Sequence, residues 1–110
     1  MAKKKNKLFW NRRHEFARKK SNRRRVGHPV YIYGQNGTRY KYLTITHTPE
    51  AGKETDYEKL KHNIDSSMDG IESSYLKKKY SVSDRNSFES PPKKYRFHPD
   101  DIPTVKKYKK

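Results

Sequence analysis

At 110 residues the chain is long enough for one folded domain at most, and with no cysteine it excludes a disulfide framework and any zinc site built on thiolates. Its 28 Lys and Arg against 12 Asp and Glu give a formal net charge of +16, which favours polyanionic partners such as nucleic acid. No apolar run approaches the length of a membrane span and the N-terminus lacks a signal-peptide pattern, so we expect a cytoplasmic protein with no membrane partner.

Residues 1–25 form a basic arm that holds 12 of the 28 Lys and Arg and a single acid, Glu15. This charge density repels itself and resists compaction, so we expect a flexible or conditionally helical arm, with a helical stretch over 9–20. The alternative is a solvated tail whose few aromatic side chains dock on the folded part. The arm residues that we expect to bind nucleic acid are Arg12, Arg13, Arg18, Lys19, Lys20, Arg23, Arg24 and Arg25.

A β-hairpin follows the arm. Residues 29–33 and 39–46 alternate apolar and polar side chains, and Asn36-Gly37 between them is typical of a type I′ turn. Centring the turn on that pair predicts a register with four tyrosines on one face of the hairpin and four aliphatic residues on the other. The tyrosines are Tyr31, Tyr33, Tyr40 and Tyr42; the aliphatic residues are Val30, Ile32, Leu43 and Ile45, with Lys41 as the one charged residue among them.

The remaining elements are shorter. Residues 56–62 suit a short helix or an edge strand, 75–82 and 93–97 suit strands, and His98-Pro99-Asp100-Asp101 suits a helix start with Ile102 and Val105 buried behind it. We therefore expect an α+β fold, mainly β, with a small β-barrel domain over 26–106, a short C-terminal helix and a basic tail over 107–110.

The tyrosine face is the best binding surface in the sequence. Tyrosine rings stack on unpaired bases, and the neighbouring Arg39, Lys41 and lysines 77–79 are suited to phosphates. The alternative is that these rings cover a second sheet layer. The hairpin residues that we expect to bind nucleic acid are Tyr31, Tyr33, Arg39, Tyr40, Lys41 and Tyr42.

The segments Gly-His-Pro-Val-Tyr-Ile at 27–32 and Tyr-Leu-Thr-Ile-Thr at 42–46 resemble the MazF/PemK-like group of toxin-type endoribonucleases. The short stretches 60–63, 74–76, 86–88 and 94–97 look like small basic proteins of mobile elements related to that group. The likeness covers about 26–106 and implies an SH3-like barrel. It also implies a catalytic role for Thr46, whereas His28 stands where the group has an arginine.

His28 and His47 lie at the same rim of the expected hairpin. Two imidazoles there are suited to general acid–base cleavage of RNA, whereas an ordinary polar rim is the simpler interpretation. The candidate catalytic residues are His28, Thr46 and His47. His14, His62 and His98 are scattered along the chain and no HExxH pattern occurs, so the sequence predicts no metal site and no cofactor.

The sequence favours a nucleic-acid-binding protein, with RNA ahead of DNA. A toxin–antitoxin-like endoribonuclease with an altered active site is the first alternative. An interaction or inhibitor protein that grips a ribonucleoprotein or an acidic protein surface is the second. The pattern leaves homodimer formation open.

Overall fold

The computed structural model describes residues 15–20, 28–91 and 94–109, which form a small compact domain with an antiparallel seven-stranded sheet and one short helix near the C-terminus. The expected mainly-β architecture is confirmed. The strands are β1 (Glu15–Lys19), β2 (Pro29–Asn36), β3 (Arg39–Thr46), β4 (Tyr57–Lys59), β5 (Tyr75–Lys77), β6 (Ser81–Asp84) and β7 (Phe88–Glu89). Helix α1 spans Ile102–Tyr108 and continues from a 3-10 turn at Pro99–Asp101.

The sheet is built around β3. The strands run in the order β4-β5-β3-β2-β1-β7, and β6 pairs with the first half of β3 while β5 pairs with its last two residues. Within the described residues this path ends at β4 and at β7, so the sheet is open, and the closed SH3-like barrel expected from the resemblance is not confirmed.

Strand β1 corrects the expectation for the arm. A helix was expected over 9–20, but Glu15–Lys19 is an extended strand that pairs antiparallel with β2, and Ala17 is fully buried in the core. Its side chain belongs to an apolar cluster with Val30 and Phe88. The rest of the expected arm, 1–14 and 21–25, lies outside the described residues.

The hairpin forms, but its register differs from the expected one. Asn36 pairs with Arg39, so the turn centres on Gly37-Thr38, and Gly37 adopts the left-handed conformation with φ +63°. A bulge between Ile32 and Gly34 then moves the pairing by one residue. Because adjacent residues on a strand face opposite sides of a sheet, the one-residue shift at the bulge separates the four tyrosines.

As a result the sheet has an apolar cluster on each side, and the expected single tyrosine face was wrong. Val30 and Ile32 share the first cluster with Tyr40 and Tyr42, whereas Tyr31 and Tyr33 lie against the second cluster. The first cluster contains Ala17, Val30, Ile32, Tyr40, Tyr42 and Phe88; the second contains Leu43, Ile45, Leu60, Ile64, Leu76 and Val105, with Tyr31 and Tyr33 packed against it.

Four further expectations, for residues 56–62, 75–82 and 93–97 and for the C-terminal helix, have mixed outcomes. Strand β4 is the edge strand at one end of the sheet, and 75–82 divides into β5 and β6. The strand expected over 93–97 was wrong for residues 94–97, which have no regular structure; residue 93 lies outside the described part. Helix α1 buries Val105 as expected, but Ile102 is 37% exposed. Among the described residues, no helix has both the length and the apolarity needed to cross a membrane.

Candidate nucleic-acid interface

An open groove of about 740 Å³ lies at the turn end of the β2–β3 hairpin. Its wall combines aromatic and basic side chains, and of the described residues that line it none is acidic. They are Tyr33, Gly34, Gln35, Asn36, Arg39, Lys41, Tyr80, Val82 and Lys109. The volume is within the range of ligand pockets, about 300–1,000 Å³, and the groove therefore has room for a nucleotide-sized group.

The bulge in β2 shapes this groove. Gly34 pairs with Lys41, and a Cβ on Gly34 would lie 3.4 Å from the Lys41 Cβ and 3.6 Å from its Cδ. The aliphatic stem of Lys41 therefore packs over Gly34 at van der Waals distance. Tyr33 is the extra residue of the bulge, and its ring lines the same groove.

The charged end of Lys41 lies between two aromatic rings. Its Nζ is 4.2 Å from the ring centroid of Tyr80 and 5.6 Å from that of Tyr33, both within cation–π range. Val82 pairs with Lys41 across β3 and β6, and Tyr80, just before β6, lies beside the lysine. Tyr80 is 41% exposed, so a ring surface remains available to a ligand.

The structure brings together three of the hairpin residues expected to bind nucleic acid: Tyr33, Arg39 and Lys41. The other three do not join them. Tyr40 is fully buried and Tyr42 is 6% exposed, so neither offers an open ring face in this conformation. Tyr31 packs against Phe16 and Phe97 with centroids 5.2 and 4.8 Å away, and its partial burial raises the pKa of its hydroxyl.

The described basic residues of the arm lie on β1 and just after it. The guanidinium of Arg18 is paired with Glu89 on β7, with its Nε donating to Oε1 at 2.9 Å. Lys19 Nζ is 6.0 Å from the ring centroid of Tyr42, and Lys20 is exposed. The five other arm residues expected to bind nucleic acid lie outside the described part: Arg12, Arg13, Arg23, Arg24 and Arg25.

Tyr80 and Lys109 belong to the groove although the sequence did not single them out. Tyr80 follows the lysine run 77–79, which was expected to flank the binding face, so an aromatic residue beside a basic run was the available signal. Lys109 follows α1 and reaches the groove only through the tertiary fold.

The three candidate catalytic residues have separate surroundings. His28 is exposed just before β2. The Thr46 hydroxyl donates to the Thr48 carbonyl at 3.2 Å and accepts from the Thr48 N–H at 3.3 Å, while His47 Nδ1 lies 3.3 Å from the Ser73 carbonyl oxygen. In the described part of the chain no hydrogen bond joins His28 to His47.

A second polar constellation lies away from the groove, and it corrects the expectation of scattered histidines. The rings of His62 and His98 stack with centroids 3.6 Å apart, and His62 lies between two carboxylates. Its Nδ1 is 2.8 Å from Asp69 Oδ2 and its Nε2 is 3.0 Å from Asp100 Oδ2. Hydrogen bonding to Asp69 and then to Asp100 raises the pKa of His62, and the bond to His62 lowers the pKa of each carboxyl group.

Comparison of the chain with protein-family models, with curated proteins and with solved structures found no match.

Proposed function

We propose that this protein binds single-stranded nucleic acid, RNA in preference to DNA, in the groove between Tyr33 and Tyr80. The observation that carries the proposal is the ammonium of Lys41 within cation–π distance of two tyrosine rings, in a groove with basic and no acidic side chains among its described lining residues. Aromatic rings with adjacent cations are the combination that takes unpaired bases together with their phosphates.

Base stacking on the ring of Tyr80 is stronger than the cation–π contact of Lys41 with the same ring, which supports replacement of the lysine by a base. A cation–π contact at an exposed site contributes about 0.5–1 kcal/mol, whereas a base stacked on an aromatic side chain contributes about 1–3 kcal/mol. A base therefore displaces Lys41 from the exposed ring of Tyr80. The released ammonium then pairs with the phosphate of the same or the next nucleotide.

The arm supplies affinity that is independent of sequence. Residues 2–14 hold six Lys and Arg and no acid, and such a segment attracts a polyanion at long range. The arm therefore attracts nucleic acid of any sequence, and the groove selects its unpaired segments. RNA is the favoured ligand because unpaired bases are commonest in its loops and ends. The MazF/PemK-like barrel and its cleavage activity are not part of this proposal.

The test measures binding of a labelled unstructured RNA and of the same RNA as a duplex by fluorescence anisotropy. The double variant Lys41→Ala/Tyr80→Ala is compared with Tyr57→Ala/Lys59→Ala, which removes the same two residue types from edge strand β4. We expect the groove variant to lose affinity for the single strand and to bind the duplex about as the parent does. Equal affinity of both double variants for the single strand contradicts the groove.

Deletion of 2–14 separates the contribution of the arm. The deletion must stop before Glu15, because β1 is part of the sheet and Ala17 is in the core. We expect weaker binding of both single strand and duplex. If binding is weakened by the deletion but not by the groove variant, the protein binds as a nonspecific polycation and the groove proposal is wrong.

A further inference from the structure

The side chain of Arg39 is available to a ligand in the groove. Arg39 is exposed, and within the part of the chain that the structure describes its guanidinium makes no hydrogen bond and no ion pair. Its cross-strand partner on β6 is Asp84, which is not among the described lining residues of the groove and accepts the Asn86 N–H at 2.9 Å. A planar group with five N–H donors is therefore free to bind a ligand there.

Arg39 lies on the same face of β3 as Lys41. Alternate residues of a strand face the same side of a sheet and are about 6.8 Å apart along it. Both side chains line the groove, whereas the intervening Tyr40 is fully buried in the first apolar cluster. The ammonium of Lys41 lies 4.2 Å from the ring centroid of Tyr80. The distance from that ring to Arg39 is therefore one that a stacked base and an extended arginine side chain cover together.

The edge of a base that meets Arg39 must present acceptors, because a guanidinium has donors only. Guanine has O6 and N7 side by side on one edge, whereas adenine has N7 beside an N6 amino group, whose N–H groups oppose those of the arginine. Cytosine also has two adjacent acceptors, O2 and N3, but its single ring covers less of a tyrosine than a purine does. Guanine therefore combines the larger stacking surface with the acceptor pair that suits arginine.

Phosphate is the competing ligand for Arg39. The groove already has two ammonium groups, on Lys41 and Lys109, which attract phosphate as point charges. The backbone of Arg39 is held by pairing with Asn36 on β2 and with Asp84 on β6, so its side chain starts from a fixed point. A planar group on a fixed backbone is suited to distinguishing base edges, whereas a phosphate contact carries no sequence information.

We propose that the groove prefers guanine, with the base stacked on Tyr80 and two N–H groups of Arg39 donating to its O6 and N7. This inference rests on the proposed function, because it names the base that the same groove selects. A bidentate contact of this kind discriminates against a wrong base by about 5- to 100-fold, which is the preference that we expect for guanine over adenine.

The test measures binding of the full chain to a short oligouridine RNA with one central guanosine, adenosine, cytidine, inosine or 7-deazaguanosine. Inosine keeps O6 and N7, whereas 7-deazaguanosine lacks N7. We expect guanosine and inosine to bind alike, and adenosine to bind about 5- to 100-fold more weakly. The 7-deazaguanosine oligonucleotide should lose part of the preference, because one of the two hydrogen bonds is removed.

Arg39→Lys keeps the positive charge and removes the bidentate contact. We expect this variant to bind the guanosine and adenosine oligonucleotides equally and to bind plain oligouridine as the parent does. Arg96→Lys makes the same change at an exposed arginine that is not among the described lining residues of the groove, and it should keep the preference. Circular dichroism verifies that both variants are folded.

The proposal is overturned if the parent binds guanosine and adenosine oligonucleotides equally while Tyr80→Ala still weakens binding, a result that leaves the groove as the RNA site. It is also overturned if Arg39→Lys keeps the guanine preference, or if it lowers the affinity for every oligonucleotide by the same factor, which would assign Arg39 to phosphate. Failure of the proposed function has a different signature. Tyr80→Ala then binds every oligonucleotide as the parent does, and the guanine proposal is wrong as well.

Discussion

The ammonium of Lys41 lies 4.2 Å from the ring centroid of Tyr80, which is part of neither the same strand nor the same hairpin. The contact arises because Lys41 pairs with Val82 on β6, two residues beyond Tyr80. A basic residue from the hairpin and an exposed ring from a later segment thus form one surface. The predictions for binding depend on this pair.

Truncation of Tyr80 should remove a stacking platform and leave the charge of the groove unchanged. We expect Tyr80→Ala to weaken binding of an unstructured RNA by about 1–3 kcal/mol, the value of one stacked base. Tyr80→Phe keeps the ring face and should bind within a factor of about two of the parent, a small fraction of that energy. Anisotropy titrations of the three proteins test this, and equal losses in Phe and Ala variants would contradict stacking.

The salt dependence of binding should distinguish the arm from the groove. For single strands the slope of log affinity against log salt changes by about 0.7 for each phosphate neutralised. Deleting 2–14 removes six Lys and Arg, so we expect a clearly shallower slope, whereas Tyr80→Ala should lower affinity with its slope unchanged. Titrations at a series of salt concentrations measure both. A deletion variant with the parent slope would contradict the role given to the arm.

The hairpin could be predicted from the sequence, but its faces could not. Alternating β-branched and aromatic residues around Asn36-Gly37 identify two strands and a turn. The turn, however, uses Gly37 as its first central residue, and the bulge at Tyr33 adds a second shift. The moved turn shifts the pairing by two residues and leaves the faces as they were, whereas the bulge shifts it by one and exchanges them.

Two other features lacked a local signal. In strand β1 the buried Ala17 directly follows the partly buried Phe16, and the other three residues are charged, so the segment has no alternation typical of a strand. The cluster around His62 joins residues up to 38 positions apart, which meet where Asp101, just before α1, accepts the backbone N–H groups of Lys61 and His62. Charge and composition predict a polyanion-binding surface, whereas the fold decides which side chains share it.

Asp101 should be a principal contributor to stability. It is buried, and its carboxylate accepts two backbone N–H groups that have few alternatives once it is removed. Since each hydrogen bond to a charged group contributes about 1.5–3 kcal/mol, we expect Asp101→Ala to lower the free energy of unfolding by about 2–5 kcal/mol. Chemical denaturation measures this.

The exposed Asp84, which accepts only the Asn86 N–H at 2.9 Å at the start of a short 3-10 turn, provides the control. Asp84→Ala should lower the free energy of unfolding by about 0.5–2 kcal/mol, as for a lost helix cap. A loss in Asp101→Ala no larger than in Asp84→Ala would show that the fold does not depend on the buried carboxylate.

The hydrogen bond between Tyr108 and Glu58 should make the stability of the protein vary with pH in the alkaline range. The Tyr108 hydroxyl donates to Glu58 Oε1 at 2.6 Å, and this hydrogen bond raises the pKa of Tyr108 above its ordinary value of 10.0. A raised folded-state pKa means that the contribution is complete below pH 10.0 and is lost as pH rises through the folded pKa. Stability should therefore fall more steeply in the parent than in Tyr108→Phe.

Thermal unfolding followed from about pH 8 to about pH 11 measures the difference between the two proteins, which isolates Tyr108 from the other tyrosines. Glu58→Gln should also reduce the pH dependence, because a neutral amide raises the tyrosine pKa less than a carboxylate. Parallel pH curves for the parent and Tyr108→Phe would contradict the assignment.

Long RNA should remain intact in the presence of the protein. The Thr46 hydroxyl is engaged with the backbone of Thr48, and His47 Nδ1 faces the Ser73 carbonyl oxygen at 3.3 Å and Glu72 Oε1 at 3.6 Å. General acid–base cleavage needs two groups positioned around one phosphate, whereas these side chains are committed to local contacts and His28 stands apart from them. Incubation of the parent, His28→Ala and His47→Ala with a long RNA, followed by gel electrophoresis, tests this. Cleavage by the parent that is lost in both variants would instead identify a toxin-type endoribonuclease and replace binding as the primary activity.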